Sequence, residues 1–298
     1  MMENVTLNNG TVIPFVGLGT SNLGSSENEF LDILNMALDI GYRLFDTANG
    51  YNNENVIGRF VSRLPVPRSE ILITSKLNDN LHSYSAAVGA VSETLERLRT
   101  DYLDLFLVHN PNSQIMRECM REKFEVDSEY WMEANVETWR ALEDCVAQGK
   151  IRCIGVSNFE IRHLKALIPH VKIIPAVNQI KYCVGCYKTQ ESLIEFCKSN
   201  AIQIQGYSPL GKGNATKTQQ IKDIAANNGC MPEDVILSYL TAKSIPTIVR
   251  ASSREHLISN IRSQRITLSD DDLRKIEECN VNENWAKIKN PDTGEKYN

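Results

Sequence analysis

Short apolar runs that end in polar residues recur along this chain, with longer amphipathic stretches between them. The runs fall at Phe15–Gly19, Arg43–Asp46, Ile71–Lys76, Leu103–His109, Cys153–Ser157, Ala176–Gln179, Ile202–Tyr207 and Thr247–Arg250, each the length of a buried strand. The intervening stretches carry helical spacing, as in Leu31, Leu34, Ala37 and Leu38, or Val136, Trp139, Leu142 and Val146. Those stripes read as core faces. Eight strand-then-helix units predict an α/β fold, a closed parallel (β/α)8 TIM barrel whose chemistry gathers on loops at the carboxyl ends of the strands. A doubly wound sheet is the second choice, disfavoured because no strand leads into Gly-x-Gly-x-x-Gly, and Gly17-Leu18-Gly19-Thr20 stops short of that pattern. Ahead of the first run, Val5-Thr6-Leu7 and Thr11-Val12-Ile13 flank Asn8-Asn9-Gly10. This predicts an N-terminal β-hairpin plug, its Asn-Gly supplying the positive dihedrals of a tight turn.

The longest irregular stretch runs from Asn110 to about Tyr130, leaves the carboxyl end of the fourth predicted barrel strand, and is expected to act as a lid. The polar tail from Asn280 to Asn298, centred on Trp285, is expected to fold back over the same face. No internal repeat or interdomain linker stands out.

Composition narrows the function classes. The formal charge of -5 arises from interspersed signs, so neither a nucleic-acid surface nor a polybasic membrane patch is expected. The amino terminus lacks the cationic start and apolar stretch of a secretory signal, and no run approaches a membrane span, so the chain reads as cytoplasmic. Eight cysteines, at 119, 145, 153, 183, 186, 197, 230 and 279, sit mostly in apolar periodic segments and read as reduced thiols. Cys183-Val184-Gly185-Cys186 has no second pair or neighbouring histidines at zinc-binding spacing, so it reads as a loop and no metal is expected.

Asp46, Lys76 and His109 end three of the apolar runs, and Tyr51 follows the first of these by a short loop. Each alone has a structural explanation, but together they fit one carbonyl-reducing site. A phenol titrates near ~10, and a cation close by lowers it by about 1–3 units, so Lys76 beside Tyr51 is expected to make it a better acid. Asp46 would keep Lys76 charged in a partly desolvated pocket. His109 would hydrogen-bond the substrate oxygen.

The chain resembles the aldo-keto reductase family over nearly its whole length. The resemblance rests on Gly17-Leu18-Gly19-Thr20, Asp46-Thr47-Ala48 with Tyr51 and Asn53-Glu54, Ser75-Lys76-Leu77 and His109-Asn110-Pro111, then on Gly155-Val156-Ser157-Asn158-Phe159, Val177-Asn178-Gln179 and Tyr207-Ser208-Pro209-Leu210-Gly211. It implies one (β/α)8 barrel domain over residues 1–298 and a reductase that uses a nicotinamide dinucleotide, NADP being expected and NAD possible. Asp46, Tyr51, Lys76 and His109 match the family's tetrad, with Tyr51 as the acid. Ser157, Asn158 and Gln179 match the residues that hold the nicotinamide carboxamide, and Tyr207 the ring it stacks on. Gly19, Thr20, Ser208, Leu210 and Gly211 complete the expected cofactor site, and glycines at 206, 211 and 213 are expected to let the backbone approach a pyrophosphate.

Departures from the family pattern carry further expectations. Where NADP-dependent relatives place a Lys-Ser pair, then an Arg and an Asn, this chain has Arg250-Ala251, His256 and Asn260. Arg250 keeps a cation suited to a 2′-phosphate, and Ser252 or Ser253 stands in for the hydroxyl. Three positions that are frequently aromatic in relatives are Ser21, Asn78 and Asn110, which favours a polar or polyoxygenated carbonyl substrate. Trp131, with Tyr130, would restore an apolar wall, unless Trp131 instead packs at the start of the following helix. After Gln179, Lys181, Cys183 and Val184 depart from the usual Glu and His-Pro. No obligate protein partner is expected. The alternatives are a cofactor-binding, redox-sensing regulatory subunit of the same fold, and a Schiff-base lyase or isomerase, which Asp46 beside Lys76 opposes.

Overall fold

The computed structural model describes residues 4–111, 129–279, 281, 283–289, 291 and 296–297. Two short strands, β1 (Asn4–Thr6) and β2 (Val12–Pro14), pair antiparallel, with Val5 opposite Ile13. Eight strands then form the barrel: β3 (Val16–Gly19), β4 (Leu44–Asp46), β5 (Leu72–Leu77), β6 (Leu105–Val108), β7 (Ile154–Ser157), β8 (Val177–Lys181), β9 (Gln203–Tyr207) and β10 (Thr247–Val249). They are parallel and follow one another in sequence order, and β10 closes the ring on β3 through Thr247 opposite Val16. All eight expected runs became barrel strands.

Around the barrel pack α1 (Glu27–Ile40), α2 (Glu54–Val61), α3 (Tyr84–Leu98), α4 (Glu129–Ala147), α5 (Ile161–Leu167), α6 (Tyr187–Ser199), α7 (Gln219–Asn228), α8 (Pro232–Ala242), α9 (Arg254–Arg262) and α10 (Asp270–Glu278). Their limits follow from local chemistry. Ser26 caps α1 by accepting from the Glu29 N–H, and Gly41, at φ 117°, ends it in the left-handed region. Phe30, Ile33, Leu34, Ala37 and Leu38 of α1 are buried at helical spacing. Burial of such stripes, at about 25 cal/mol per Å² of apolar surface, is what holds helices on the sheet.

The hairpin closes the end of the barrel away from the strands' carboxyl ends. Its Leu7 and Ile13 are buried among Leu105, Leu107, Cys153 and Val177. The Asn8 and Asn9 amides donate to the carbonyls of Pro175 (3.2 Å) and Arg152 (3.1 Å), which precede β8 and β7. The turn differs in one respect from expectation, since Gly10 alone takes a positive φ, 84°. Gly10 N–H donates to Leu7 at 2.9 Å and Leu7 N–H to Thr11 at 2.8 Å, a turn followed by a glycine bulge. Asn9 contributes its side chain instead, accepting from the Thr11 N–H at 3.0 Å.

Residues 112–128, most of the expected lid, lie outside the described residues. Among the described residues no helix is long and apolar enough to cross a membrane.

Candidate active site

The site is built where β4, β5 and β6 end. Asp46 is the last residue of β4, Lys76 lies one residue from the end of β5, and His109 directly follows β6. Tyr51 closes a short 3-10 turn, Asn49–Tyr51, on the β4 loop. Lys76 Nζ donates to Asp46 Oδ1 at 2.6 Å and to the Thr47 carbonyl at 2.8 Å. The two residues are 1% and 3% exposed, so these oxygens take the place of the water that Lys76 Nζ gives up on burial. The other carboxylate oxygen, Oδ2, accepts from Gln179 Nε2 at 2.8 Å, and Gln179 also donates to Gln205 at 2.8 Å. Lys76 Nζ lies 5.1 Å from the centre of the Tyr51 ring. The rings of Tyr51 and His109 meet edge to face, their centres 5.9 Å apart.

The electrostatics correct one expectation. The Tyr51 phenol is held above the usual 10, because burial outweighs the charge and hydrogen bond of Lys76, with Asp46 adding to the rise. Lys76 limits the shift without reversing it. His109 is pushed down to about 4, chiefly by burial and then by the charge of Lys76, with Asp79 opposing. Its imidazole is therefore neutral at pH 7, with one N–H to donate.

A buried carboxylate to which its place in the sequence assigns no role stands behind the cluster. Glu54, 2% exposed, accepts from Ser75 Oγ at 2.5 Å, from Arg97 Nε at 2.7 Å and from Asn49 Nδ2 at 3.2 Å. It thereby links the turn carrying Tyr51 to the strand carrying Lys76. The signal was Asn53-Glu54 immediately after Tyr51, but nothing in the sequence shows what the carboxylate touches. Asn53 itself accepts from Thr47 Oγ1 at 2.5 Å and donates to the Thr20 carbonyl at 2.9 Å, while Thr20 Oγ1 donates to the Asp46 carbonyl at 2.8 Å.

From Tyr51 and His109 a cleft of about 610 Å³ runs past Ser157, Asn158, Gln179 and Tyr207 to Arg250, His256 and Asn260. Gly19, Thr20, Ser21, Ser208 and Leu210 also line it. Asn158, at φ 61°, donates to the His109 carbonyl at 3.0 Å, and its Oδ1 accepts from the Tyr207 hydroxyl at 2.9 Å. One amide thus ties the His109 loop to the ring expected to carry a nicotinamide. Ser157 Oγ donates to the Gln179 carbonyl at 2.8 Å. Arg250 reaches across the mouth to the Ser21 carbonyl at 3.1 Å, and Ser253 caps α9 by accepting from the His256 N–H at 3.2 Å. Amides at one end, an aromatic face beside them and a guanidinium near a helix amino terminus fit a nicotinamide dinucleotide by size and donor set.

Other expected site residues lie elsewhere. Trp131 is fully buried, its ring stacked on His163 of α5 at 5.8 Å between centres. It packs α4 onto α5 and is no wall of the cleft, because its position at the start of α4 turns it into the core. The side chain of Tyr130 lies outside the described residues. Asn78 and Asn110 are half-buried and are not cleft-lining, and the Asn110 amide is spent on Asp79 at 2.8 Å. Ser252 is exposed and outside the cleft lining.

The glycines divide likewise. Gly213 lines the cleft, but Gly206 sits in β9 against Tyr182 and Thr247. Gly211, at φ 54°, makes room for Trp285, whose ring a Cβ there would strike. That glycine serves the tail. Lys181 Nζ fastens the same segment by donating to the carbonyls of Trp285 at 2.6 Å and Lys287 at 2.7 Å. Among the described residues no cluster of three or more His, Cys, Asp or Glu could hold a metal ion.

A closed parallel barrel with this cluster at its carboxyl end defines an oxidoreductase class that comparison with known proteins identifies. Residues 16–281 match the model of the aldo/keto reductase family. The chain is 33% identical over 283 residues to glyoxal reductase of Bacillus subtilis, covering 95% of both chains. It is 34% identical over 312 residues to the NAD(P)H-dependent D-xylose reductase of Kluyveromyces lactis, covering 95% of this chain and 94% of the relative. Its fold superposes with a TM-score of 0.82 on MGS-M4, an aldo-keto reductase from a Medee basin deep-sea metagenome library, at 30% identity and covering 98% and 96% of the two chains. The chain belongs to the aldo-keto reductase family. It is an enzyme that reduces carbonyl compounds with a nicotinamide cofactor.

Proposed function

We propose that this enzyme prefers NADPH and reduces a polar, polyoxygenated aldehyde or ketone, with Tyr51 as general acid. The carrying observation is the buried Lys76–Asp46 pair, 2.6 Å apart, beneath a Tyr51 whose ring shares the cleft with His109. Ser157, Asn158, Gln179 and Tyr207 would hold the nicotinamide of the cofactor, which would supply the hydride. The chain's own residues do the rest. His109, neutral, donates a hydrogen bond to the carbonyl oxygen and fixes its approach. Tyr51 gives its proton to that oxygen as negative charge develops, and the Lys76 ammonium stabilises the phenolate left behind. Asp46 keeps that ammonium charged, which also disfavours Lys76 as a Schiff-base nucleophile.

Arg250 supports the NADPH preference. It is exposed at the mouth of the cleft beside the amino terminus of α9, where a guanidinium and a helix end together favour a phosphate dianion. For the substrate, Ser21 and Asn22 line the cleft, whereas Trp131 is in the core. The names of the relatives, glyoxal and D-xylose reductases, fit substrates that return hydrogen bonds. The test is a steady-state panel of hydroxylated and aromatic carbonyls with NADPH and with NADH. Higher kcat/KM for hydroxylated compounds with NADPH is expected. Superiority of benzaldehydes overturns the substrate reading, and equal or better rates with NADH overturn the cofactor reading.

A further inference from the structure

Carbonyl reduction leaves one chemically active pair unused. Cys183 and Cys186, on the loop between β8 and α6, are both fully buried, and their sulfurs lie 3.8 Å apart. Gly185, at φ 88°, turns the loop back so that the Cys186 N–H donates to the Cys183 carbonyl at 3.0 Å. The Cys183 N–H in turn points at Cys186 Sγ, at 3.1 Å. Cys186 directly precedes the 13-residue α6, where the helix amino terminus favours a thiolate. The hydrogen bond from Cys183 acts in the same direction and holds the Cys186 thiol below its usual range, while Cys183 is raised. Attacking and resolving sulfurs are thus distinguished.

The pair is covered by part of the tail. Trp285 and Ile288 pack on the two cysteines, and both also wall a cavity of about 420 Å³ that shares Asn158, Tyr207 and Ser208 with the cofactor cleft. One layer of side chains separates the sulfurs from that space. The fit is tight. A Cβ on Gly185 would lie 2.8 Å from the Val281 Cβ and 3.1 Å from the Ala286 Cβ.

We propose that Cys183 and Cys186 are a redox modification site, closing to a reversible disulfide by exchange with a low-molecular-weight disulfide such as glutathione disulfide, and that closure loosens the 284–289 strap beside the cofactor cleft. When the strap lifts, the Cys186 thiolate attacks one sulfur of glutathione disulfide, breaking its S–S bond and releasing a glutathione thiolate. Cys183 then attacks Cys186 Sγ, forming the intramolecular bond and expelling the second glutathione. The two thiol protons end on the two glutathiones, which take up the two electrons that the protein loses. Bonding requires the sulfurs to approach to about 2.05 Å. With no slack at Gly185, the loop moves at the expense of its contacts with the strap.

The test treats the whole enzyme with excess glutathione disulfide, denatures it, blocks free thiols with N-ethylmaleimide and digests with trypsin. The peptide from Tyr182 to Lys188 is expected unalkylated and two hydrogens lighter, becoming doubly alkylated after dithiothreitol. Cys183→Ser is expected to stop at a glutathione adduct on Cys186. Native oxidised enzyme is expected to be cut by trypsin after Lys287 faster than reduced enzyme, a difference abolished in the Cys183→Ser/Cys186→Ser double variant. A doubly alkylated peptide despite oxidant overturns the site, and a disulfide without faster cleavage overturns its coupling to the strap.

Discussion

Lys76 Nζ sits 2.6 Å from Asp46 Oδ1 in a place that solvent does not reach, and Gln179 holds the opposite oxygen of the same carboxylate at 2.8 Å. The pair therefore carries both stability and the charge that the proposed proton transfer needs. Asp46→Asn leaves an ammonium without its counter-charge, and about 3–5 kcal/mol of stability is expected to go with it. Replacing both partners, as Asp46→Leu with Lys76→Met, removes the uncompensated charge and is expected to recover most of that loss while leaving the enzyme inactive. Urea unfolding of the three proteins checks this. An Asp46→Asn protein as stable as the wild type would refute it.

Tyr51→Phe keeps the ring and deletes the proton. The expected fall in kcat is about 10²–10⁴-fold, with dinucleotide affinity unchanged because the amides and Tyr207 that would hold the nicotinamide are untouched. Steady-state rates and a fluorescence titration with NADPH separate these two quantities. Unchanged turnover would take the acid role away from Tyr51.

His109 makes the protein sensitive to mild acid. Its folded value, about 4, lies below the ordinary 6.5, so between these pH values the unfolded chain binds a proton that the folded chain refuses. The associated stability is complete above pH 6.5 and is lost as pH falls toward 4, on the order of 3 kcal/mol at about 1.4 kcal/mol per pH unit. His163, pushed down to about 3 by burial and then by Arg162, acts with the same sign. Denaturant melts at pH 7 and pH 5 are expected to differ in midpoint, less so in His109→Asn. A kcat/KM profile should also lack an acid limb at 6.5 if the imidazole works in its neutral form.

Arg250→Ala tests the cofactor reading. A charged hydrogen bond contributes ~1.5–3 kcal/mol, so the KM for NADPH is expected to rise about 10–100-fold. The KM for NADH should stay near its wild-type value. Equal loss with both cofactors would show that Arg250 acts only by closing the mouth over Ser21.

The barrel was legible because its signal is local. Eight apolar runs with helical spacing between them state strand, helix and their order, and Ser26 and Gly41 mark where a helix starts and stops. The positions of Asp46, Lys76 and His109 at strand ends were legible for the same reason. What a side chain faces is set by neighbours remote in sequence. Gln179 meets Asp46 across the barrel, Glu54 joins Ser75 to Asn49, and Gly211 yields space to Trp285. The same remoteness explains the departures: Trp131 turned into the core against His163, and the burial of Tyr51 outweighed the cation beneath it. Periodicity and strand-end chemistry belong to the sequence by itself, because both are properties of consecutive residues. Desolvation and long-range pairing were decided only by tertiary packing, because each depends on which atoms have replaced water.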